Sequence, residues 1–299
     1  IKDRAFCGCK ELYDMELPKD LTVIGRNAFE GCENFQKMVI PSGVVKIEDA
    51  VFKNCKRLSC LIIPDGVEVI ENEAFSGCNL LFVCIPDSVT AMGVAAFKNC
   101  ENLKRIKISD QVKTIEKSTF EGCKSLSDVE IQDGITMIKS KAFSGCENLI
   151  ALTLPKTLTY VGEDAFGTTG SGFSERLDGP TIRQLYIEDL TAYMNCTYSN
   201  IKSLPLHNGG VLCLNGKPLQ NLEVPNGIEK IQDNLFVGCE SLVNVIIPEG
   251  VTSIGAQAFR DCKNLENISI PKSVISIGKG AFDGCDIKNV YIKDLTAYI

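Results

Sequence analysis

The chain has 299 residues, 44% of them apolar, and carries a net charge of −7 at neutral pH. Apolar residues at this level exclude a disordered protein, and the negative charge disfavours binding to nucleic acid or to anionic membrane surfaces. No stretch reaches the ~18 to 20 consecutive apolar residues that a membrane-spanning helix requires. We therefore expect a folded protein with no nucleic acid partner and no membrane insertion.

Phenylalanine recurs at a spacing of 23 residues, with one step of 22, from Phe6 to Phe166 and again at 23 from Phe236 to Phe282. A cysteine follows three residues later in ten of the eleven cases, and Thr169 replaces it in the other. The phenylalanines are Phe6, Phe29, Phe52, Phe75, Phe97, Phe120, Phe143, Phe166, Phe236, Phe259 and Phe282. A fixed period of this size predicts a solenoid, in which each coil is stabilised by stacking on the next. Residues 1–6 match the middle of a repeat, so we expect the natural start to lie upstream.

The repeat that begins at Leu242 shows the unit clearly. Val245 and Ile247 alternate, which places both side chains on one face of a short strand, and Pro248 ends the strand because it has no N–H to donate. Strands that occupy the same position in stacked coils are expected to pair in parallel. The sequence thus predicts one short strand in each coil.

The second half of the same repeat returns the chain to the next strand. Val251 and Ile254, three residues apart, favour an irregular or 3₁₀-like segment. We interpret Gly255 as permitting a backbone turn that other residues resist. Phe259 is then expected to fill the interior of the coil.

The unit Ile-Pro-x-x-Val-x-x-Ile-Gly-x-x-Ala-Phe-x-x-Cys resembles the BspA-like (Treponema pallidum-type) class of leucine-rich repeats, found in surface proteins of anaerobic bacteria and some protists. The resemblance covers most of the chain. It implies a right-handed coil with a parallel β-sheet on its concave face, irregular or 3₁₀ return segments and little α-helix. It also implies a cell-surface or secreted protein, because similar proteins are associated with attachment to host matrix proteins and to other microbes.

The period fails between Gly167 and Val224, so we divide the chain into repeats over 1–166, an interrupting segment over 167–224 and further repeats over 225–299. The glycine-rich stretches 167–172 and 178–180 predict a surface loop.

A larger repeat is superimposed on the 23-residue period. The sequence of 185–193 returns almost unchanged at 290–298, and because the second copy stops at Ile299 we expect a longer natural protein. Between the two copies, Val211–Leu214 is predicted to be a strand, and the Asn-Gly dipeptide that follows favours a hairpin turn.

No arrangement of residues in the sequence indicates an enzyme or a cofactor site. His207, the only histidine, lies in a region rich in Pro and Gly, and we interpret it as a solvated loop residue. The glycines at 167 and 172 match a phosphate-binding loop, but Phe173 stands where the lysine is required. We therefore predict no catalytic residue and no bound cofactor.

Fifteen cysteines raise the questions of metal binding and of disulfides. There is no Cys-x-x-Cys pair, and a single histidine leaves no zinc-ligand spacing, so we predict no metal site. Cysteines repeated at one position of stacked coils would lie about 4.8 Å apart, a distance that permits disulfides. We favour free buried thiols that act as small apolar residues, with cross-linking as the alternative. Two glycosylation triplets, at Asn195 and Asn267, decide nothing without the host.

The outward positions of the predicted strands vary from coil to coil, and those of the third to fifth coils are unusually apolar. We predict a partner-binding patch there, with an apolar centre and a basic border, because such surfaces often mark interaction sites. Its residues are Val39, Cys60, Ile62, Phe82, Cys84, Arg105 and Lys107. Cover by another domain or a dimer mate, or simple strand propensity, is the alternative.

Later coils place asparagine at one outward position, namely Asn221, Asn244, Asn267 and Asn289. These amides can bond one another or bind a sugar. The function we predict is non-enzymatic binding or adhesion, through the concave face, to a protein ligand, either host matrix or another microbial surface. A passive spacer and a carbohydrate-binding module are the alternatives.

Overall fold

The computed structural model describes residues 1–167 and 182–292. The chain divides into two compact units, unit 1 (Ile1–Ile150, Tyr160–Pro180 and Tyr198–Ser203) and unit 2 (Ala151–Thr159, Thr181–Thr197 and Leu204–Ile299). The predicted loop over 168–180, Thr169 and Phe173 included, lies outside the described residues, as does most of the second copy of the larger repeat.

Short strands are the main regular elements of the described residues, which also contain one α-helix and one 3₁₀ helix. The helices are α1, Leu190–Asn195, and the 3₁₀ helix Ile201–Ser203. The strands are β1 Lys37–Val39, β2 Lys46–Ile47, β3 Cys60–Ile62, β4 Val69–Ile70, β5 Phe82–Cys84, β6 Ala91–Met92, β7 Arg105–Lys107, β8 Thr114–Ile115, β9 Asp128–Glu130, β10 Met137–Ile138, β11 Ala151–Thr153, β12 Tyr160–Val161, β13 Gln184–Ile187, β14 Thr197–Tyr198, β15 Val211–Leu214, β16 Lys217–Pro218, β17 Asn221–Glu223, β18 Lys230–Ile231, β19 Asn244–Ile246, β20 Ser253–Ile254, β21 Asn267–Ile270, β22 Ser276–Ile277 and β23 Asn289–Ile292.

Most coils contribute one longer strand and one two-residue strand, and the two kinds pair separately except for β16, a two-residue strand that pairs with β15. The longer strands form the sheets β1–β3 and β5–β7–β9 in unit 1, and β11–β13–β15–β16 and β17–β19–β21–β23 in unit 2. The two-residue strands form β2–β4–β6, β14–β12–β10–β8 and β18–β20–β22. Pairing is parallel and follows the sequence period, since Lys37 lies opposite Cys60 and Val39 opposite Ile62. The predicted parallel solenoid is confirmed.

Most of the longer strands bury every second side chain. In β7, Ile106 is fully buried while Arg105 and Lys107 on either side are exposed. This alternation follows from the two-residue period of a strand. It places the variable residues of each repeat on one outward face and the constant ones in the core.

The repeated phenylalanines form stacked columns inside the coils. In unit 1 the rings from Phe6 to Phe166 stack with centroids 5.3 to 5.9 Å apart, and in unit 2 those of Phe236, Phe259 and Phe282 stack at 5.2 and 5.4 Å. Phe259 is completely buried. The core therefore grows in one dimension, as predicted.

The return segments are more regular than the spacing of Val251 and Ile254 suggests. Ile254 lies in β20, which pairs in parallel with β18 and β22. Stacked coils present their backbones to each other at the return path as well as at the longer strand, so a second parallel ladder forms. Turns connect the two ladders.

The glycine after the return strand has a different role from the one predicted. The φ angle of Gly255 lies outside the left-handed region, whereas a Cβ atom there would stand 2.5 Å from the backbone nitrogen of Asp233. Gly25, Gly93 and Gly162 show the same close approach to the preceding coil. At these four positions the missing Cβ allows the close approach of the preceding coil, whereas other coils carry Glu48, Glu71, Glu116, Lys139 or Gln232 at the corresponding position.

The interrupting segment contributes its own elements. Asp189 caps α1 by accepting a hydrogen bond from the Ala192 N–H at 2.9 Å. The strand predicted at Val211–Leu214 is present as β15, and it pairs antiparallel with β16 across a turn in which Asn215 and Gly216 both have positive φ. Within the described part of the chain, no helix is long and apolar enough to span a bilayer.

Candidate functional site

The seven residues of the predicted patch lie on the outward face of unit 1. Val39 is on β1, Cys60 and Ile62 are on β3, Phe82 and Cys84 are on β5, and Arg105 and Lys107 are on β7. All seven side chains are exposed. Ile62 and Phe82 expose 50% and 61% of their surface, which is high for large apolar residues in a folded chain.

The sheet is interrupted at the centre of this patch. Within the described residues, β3 pairs only with β1 and β5 only with β7. The coil that carries β5 is the one that is a residue shorter, because a single residue separates Cys78 from Leu80 where two separate Cys55 from Leu58. The return strands β4 and β6 still pair, so the interruption is confined to the outward face.

The basic border of the patch is partly neutralised. Arg105 forms an ion pair with Asp128, its register partner on β9. Lys107 lies opposite Glu130 in the same register. Exposed pairs of this kind stabilise a fold weakly, so both residues can exchange these partners for a ligand.

A groove of about 560 Å³ extends the patch toward the first coil. One wall is the segment Asp14–Leu17 together with Lys19, and the other is the β1 region from Lys37 to Ser42. Val39 and Ile62 of the patch also line it. Sequence reasoning missed this groove, because the repeat pattern of the first coil predicts a paired strand at Asp14–Glu16 and no strand forms there.

The repeated cysteines form a column of thiols along the coils. Each Sγ donates to the carbonyl of the phenylalanine one coil earlier, over 2.9 to 3.2 Å. This cysteine column consists of Cys32, Cys55, Cys78, Cys100, Cys123 and Cys146 in unit 1, and Cys262 and Cys285 in unit 2. The thiols thus act as buried hydrogen-bond donors as well as packing groups, a role that spacing alone could not reveal.

Burial makes these thiols poor nucleophiles. It raises the pKa of the Cys100 thiol to about 12. For Cys32, burial together with repulsion from neighbouring cysteines raises the pKa to about 12. Burial also raises the pKa values of Cys123 and Cys146. Because the thiolate is the reactive form, these four thiols are poor nucleophiles, whereas the hydrogen bond with Cys262 lowers the pKa of the half-buried Cys285 thiol.

The interpretation of His207 as a solvated loop residue was wrong. Its side chain is 4% exposed, and Nδ1 lies 2.7 Å from the carbonyl oxygen of Leu204. His207 belongs to unit 2, and the neighbouring Leu204 and Leu206 are also buried. Within the described residues, no cluster of His, Cys, Asp and Glu side chains is placed to hold a metal ion.

The asparagine column of unit 2 bonds to itself. The Nδ2 groups of Asn244, Asn267 and Asn289 each donate to Oδ1 of the asparagine one coil earlier, over 2.5, 2.7 and 2.7 Å. Each internal amide thereby uses one donor and one acceptor. A glycan at the Asn267 triplet would remove a donor from this ladder, whereas Asn195, at the end of α1, is exposed.

The model of the BspA type leucine rich repeat region matches this chain in six copies over residues 1–104, 73–173 and 188–299. The chain belongs to the BspA-type leucine-rich repeat family. No curated protein matches it.

Among solved structures, a leucine-rich repeat protein from Bacteroides ovatus is 26% identical, with a TM-score of 0.59 over 96% of this chain and 80% of that one. A leucine rich cell surface protein from Faecalibacterium prausnitzii is 24% identical over 98% of this chain and 69% of that one, with a TM-score of 0.41. The T. pallidum leucine rich repeat protein is 30% identical over 50% and 70%, with a TM-score of 0.48. BspA-type repeat proteins are generally non-enzymatic.

Proposed function

We propose that this BspA-type protein binds a protein ligand, host matrix or another microbial surface, through the outward face of unit 1 around Ile62 and Phe82. The proposal includes a cell-surface or secreted location and an adhesive role. The observation that carries it is a contiguous set of exposed apolar side chains at an interruption of the sheet, next to a groove. Exposed apolar patches with charged borders are typical of interaction surfaces.

Two substitutions on the outward face test the proposal. Ile62→Lys combined with Phe82→Glu should leave the fold intact, because both side chains point away from the core. Binding to immobilised matrix proteins and to whole microbial cells should fall by at least about tenfold, since a charge in the centre of an apolar interface is left unpaired. Binding is measured by surface plasmon resonance and by cell-adhesion assays.

Unit 2 offers a matched control. Ile246 occupies an outward position on β19 and is 48% exposed, close to the value for Ile62. Ile246→Lys should leave binding unchanged. Equal binding by the wild-type protein and the double variant would favour a passive spacer. A loss of binding caused by Ile246→Lys alone would instead place the site on the asparagine face of unit 2. A glycan array would then test a carbohydrate ligand.

A further inference from the structure

β1 has a free edge on the side of the first coil. Within the described residues it pairs only with β3. The Gln36 carbonyl accepts from the Cys60 N–H at 3.3 Å, and the Ile40 N–H donates to the Ile62 carbonyl at 3.0 Å. Backbone groups of successive strand residues point to opposite sides. The N–H and C=O groups of Lys37 and Val39 therefore point toward the first coil.

The segment of the first coil that should cover this edge does not pair with it. Residues 12–18 carry the repeat pattern, yet they form no strand. The coils remain joined on both sides of the gap. Asn34 N–H donates to the Lys10 carbonyl at 3.1 Å, and a Cβ on Gly43 would lie 3.1 Å from the Leu21 carbonyl oxygen. The gap beside β1 is thus a slot that is closed at its two ends. It opens to solvent through the groove of about 560 Å³.

The walls of the slot are apolar inside and charged at the rim. Met15 and Leu17 are half-buried along one wall, and Val39 is exposed on the other. Glu16 makes no ion pair among the described residues. In the repeat register Asp14 corresponds to Lys37 and Glu16 to Val39, so the register places no cation directly opposite Glu16, and Lys19 and Lys37 line the same groove.

We infer that this slot binds an extended peptide segment of a partner protein, which adds to β1 as a further strand. The free N–H and C=O groups of alternate strand residues match the repeat of an extended peptide, which is the requirement for β-strand addition. The inward side chain of the peptide is apolar, next to Met15, and an outward Lys or Arg pairs with Glu16. The inference rests on the proposed function, because Val39 and Ile62 belong to both surfaces.

A proline substitution tests the free edge of β1 without removing the groups that bond to β3. Val39→Pro removes one N–H from the free edge and leaves the groups that bond to β3 in place, since edge strands tolerate proline where the N–H faces outward. Val39→Ala is the matched control, because it shortens the side chain and keeps the N–H. Thermal unfolding of both variants is the check that they retain the fold.

A phage-displayed random heptapeptide library is selected on the wild-type protein, with Val39→Pro protein as the counter-selection. Enriched peptides should alternate apolar and polar residues and carry Lys or Arg. A synthetic copy should bind Val39→Ala within about threefold of wild type and Val39→Pro at least about tenfold more weakly, and Glu16→Gln should weaken it about threefold. Methylation of the peptide backbone nitrogens should abolish binding.

Two results overturn the inference. One is a library that enriches no peptide for the wild-type protein over Val39→Pro protein. The other is slow amide exchange at Lys37 and Val39 in the free protein, which would show that the first coil already covers the edge. Phe82→Glu should leave peptide binding unchanged. Failure of strand addition is therefore distinct from failure of the proposed patch, which the Ile62→Lys and Phe82→Glu double variant reports.

Discussion

Cys100 shows how a single buried thiol links packing to hydrogen bonding. Its Sγ donates to the Phe75 carbonyl at 3.1 Å, and the same carbonyl accepts the Cys78 N–H at 3.2 Å. The thiol thus satisfies a second lone pair of a buried oxygen without introducing a strongly polar group. Small apolar residues such as alanine fill this position without supplying the donor.

The raised pKa values of buried thiols such as Cys100 predict a loss of stability at alkaline pH. In the unfolded chain a thiol has a pKa of about 8.5, whereas the folded Cys100 thiol has a pKa of about 12. Below about pH 8.5 both states are protonated and stability is complete. Above it the unfolded chain loses protons that the folded chain retains, so each such thiol lowers the free energy of unfolding by about 1.4 kcal/mol per pH unit.

Denaturant titrations from pH 7 to pH 10 measure this loss, and Cys100→Ala isolates one thiol. The variant should be about 1 to 2 kcal/mol less stable at pH 7, because a buried carbonyl loses a donor and a small cavity forms. Its stability should then fall less steeply with pH than that of the wild type. Parallel pH profiles for the two proteins would contradict the pKa shift.

Gly255 provides a second test at the residue scale. Gly255→Ala should destabilise the protein by about 1 to 3 kcal/mol, because the added Cβ would stand 2.5 Å from the Asp233 backbone nitrogen. Gly250→Ala is the contrast, because the space around Gly250 is open and any loss of stability there comes from its φ of +103°, not from a clash with the preceding coil. A Gly255→Ala variant that melts at the wild-type temperature would show that the coils separate easily.

At the scale of elements, periodicity predicted the core but not the backbone pairing. The 23-residue period identified the phenylalanines and the longer strands, and the Asn-Gly turn identified the hairpin strand β15, because each depends on local patterns of side chains. The return strands and the gap beside β1 depend on how two backbones meet across a coil boundary. The first coil has the same pattern as its paired neighbours, so no residue type marks the opening.

The candidate patch also combines features that side-chain patterns predict with features that depend on how backbones pair. Outward strand positions could be read from the alternation, and the structure places all seven residues on the outward face of unit 1. Neither the Arg105–Asp128 ion pair nor the break between β3 and β5 follows from composition. The ion pair depends on the register of β7 and β9, and the break lies next to the coil that is one residue shorter.

At the scale of the molecule, each compact unit has its own phenylalanine column and its own parallel sheets. A coil in such an array contacts only its neighbours, so stability is close to a sum of coil and interface contributions. Stacked rings are the largest apolar groups at each interface. Damage to one coil should therefore spread by contact and weaken with distance along the unit.

Phe259→Ala tests this nearest-neighbour behaviour within unit 2. The ring is fully buried between Phe236 and Phe282, so its loss should cost roughly 3 to 5 kcal/mol through lost transfer energy and a cavity. Native-state hydrogen exchange should show the largest loss of protection in β20 and in the adjacent return strands β18 and β22. A uniform loss of protection across unit 2 would instead mean that its coils unfold as one cooperative block, and that the one-dimensional description fails for this unit.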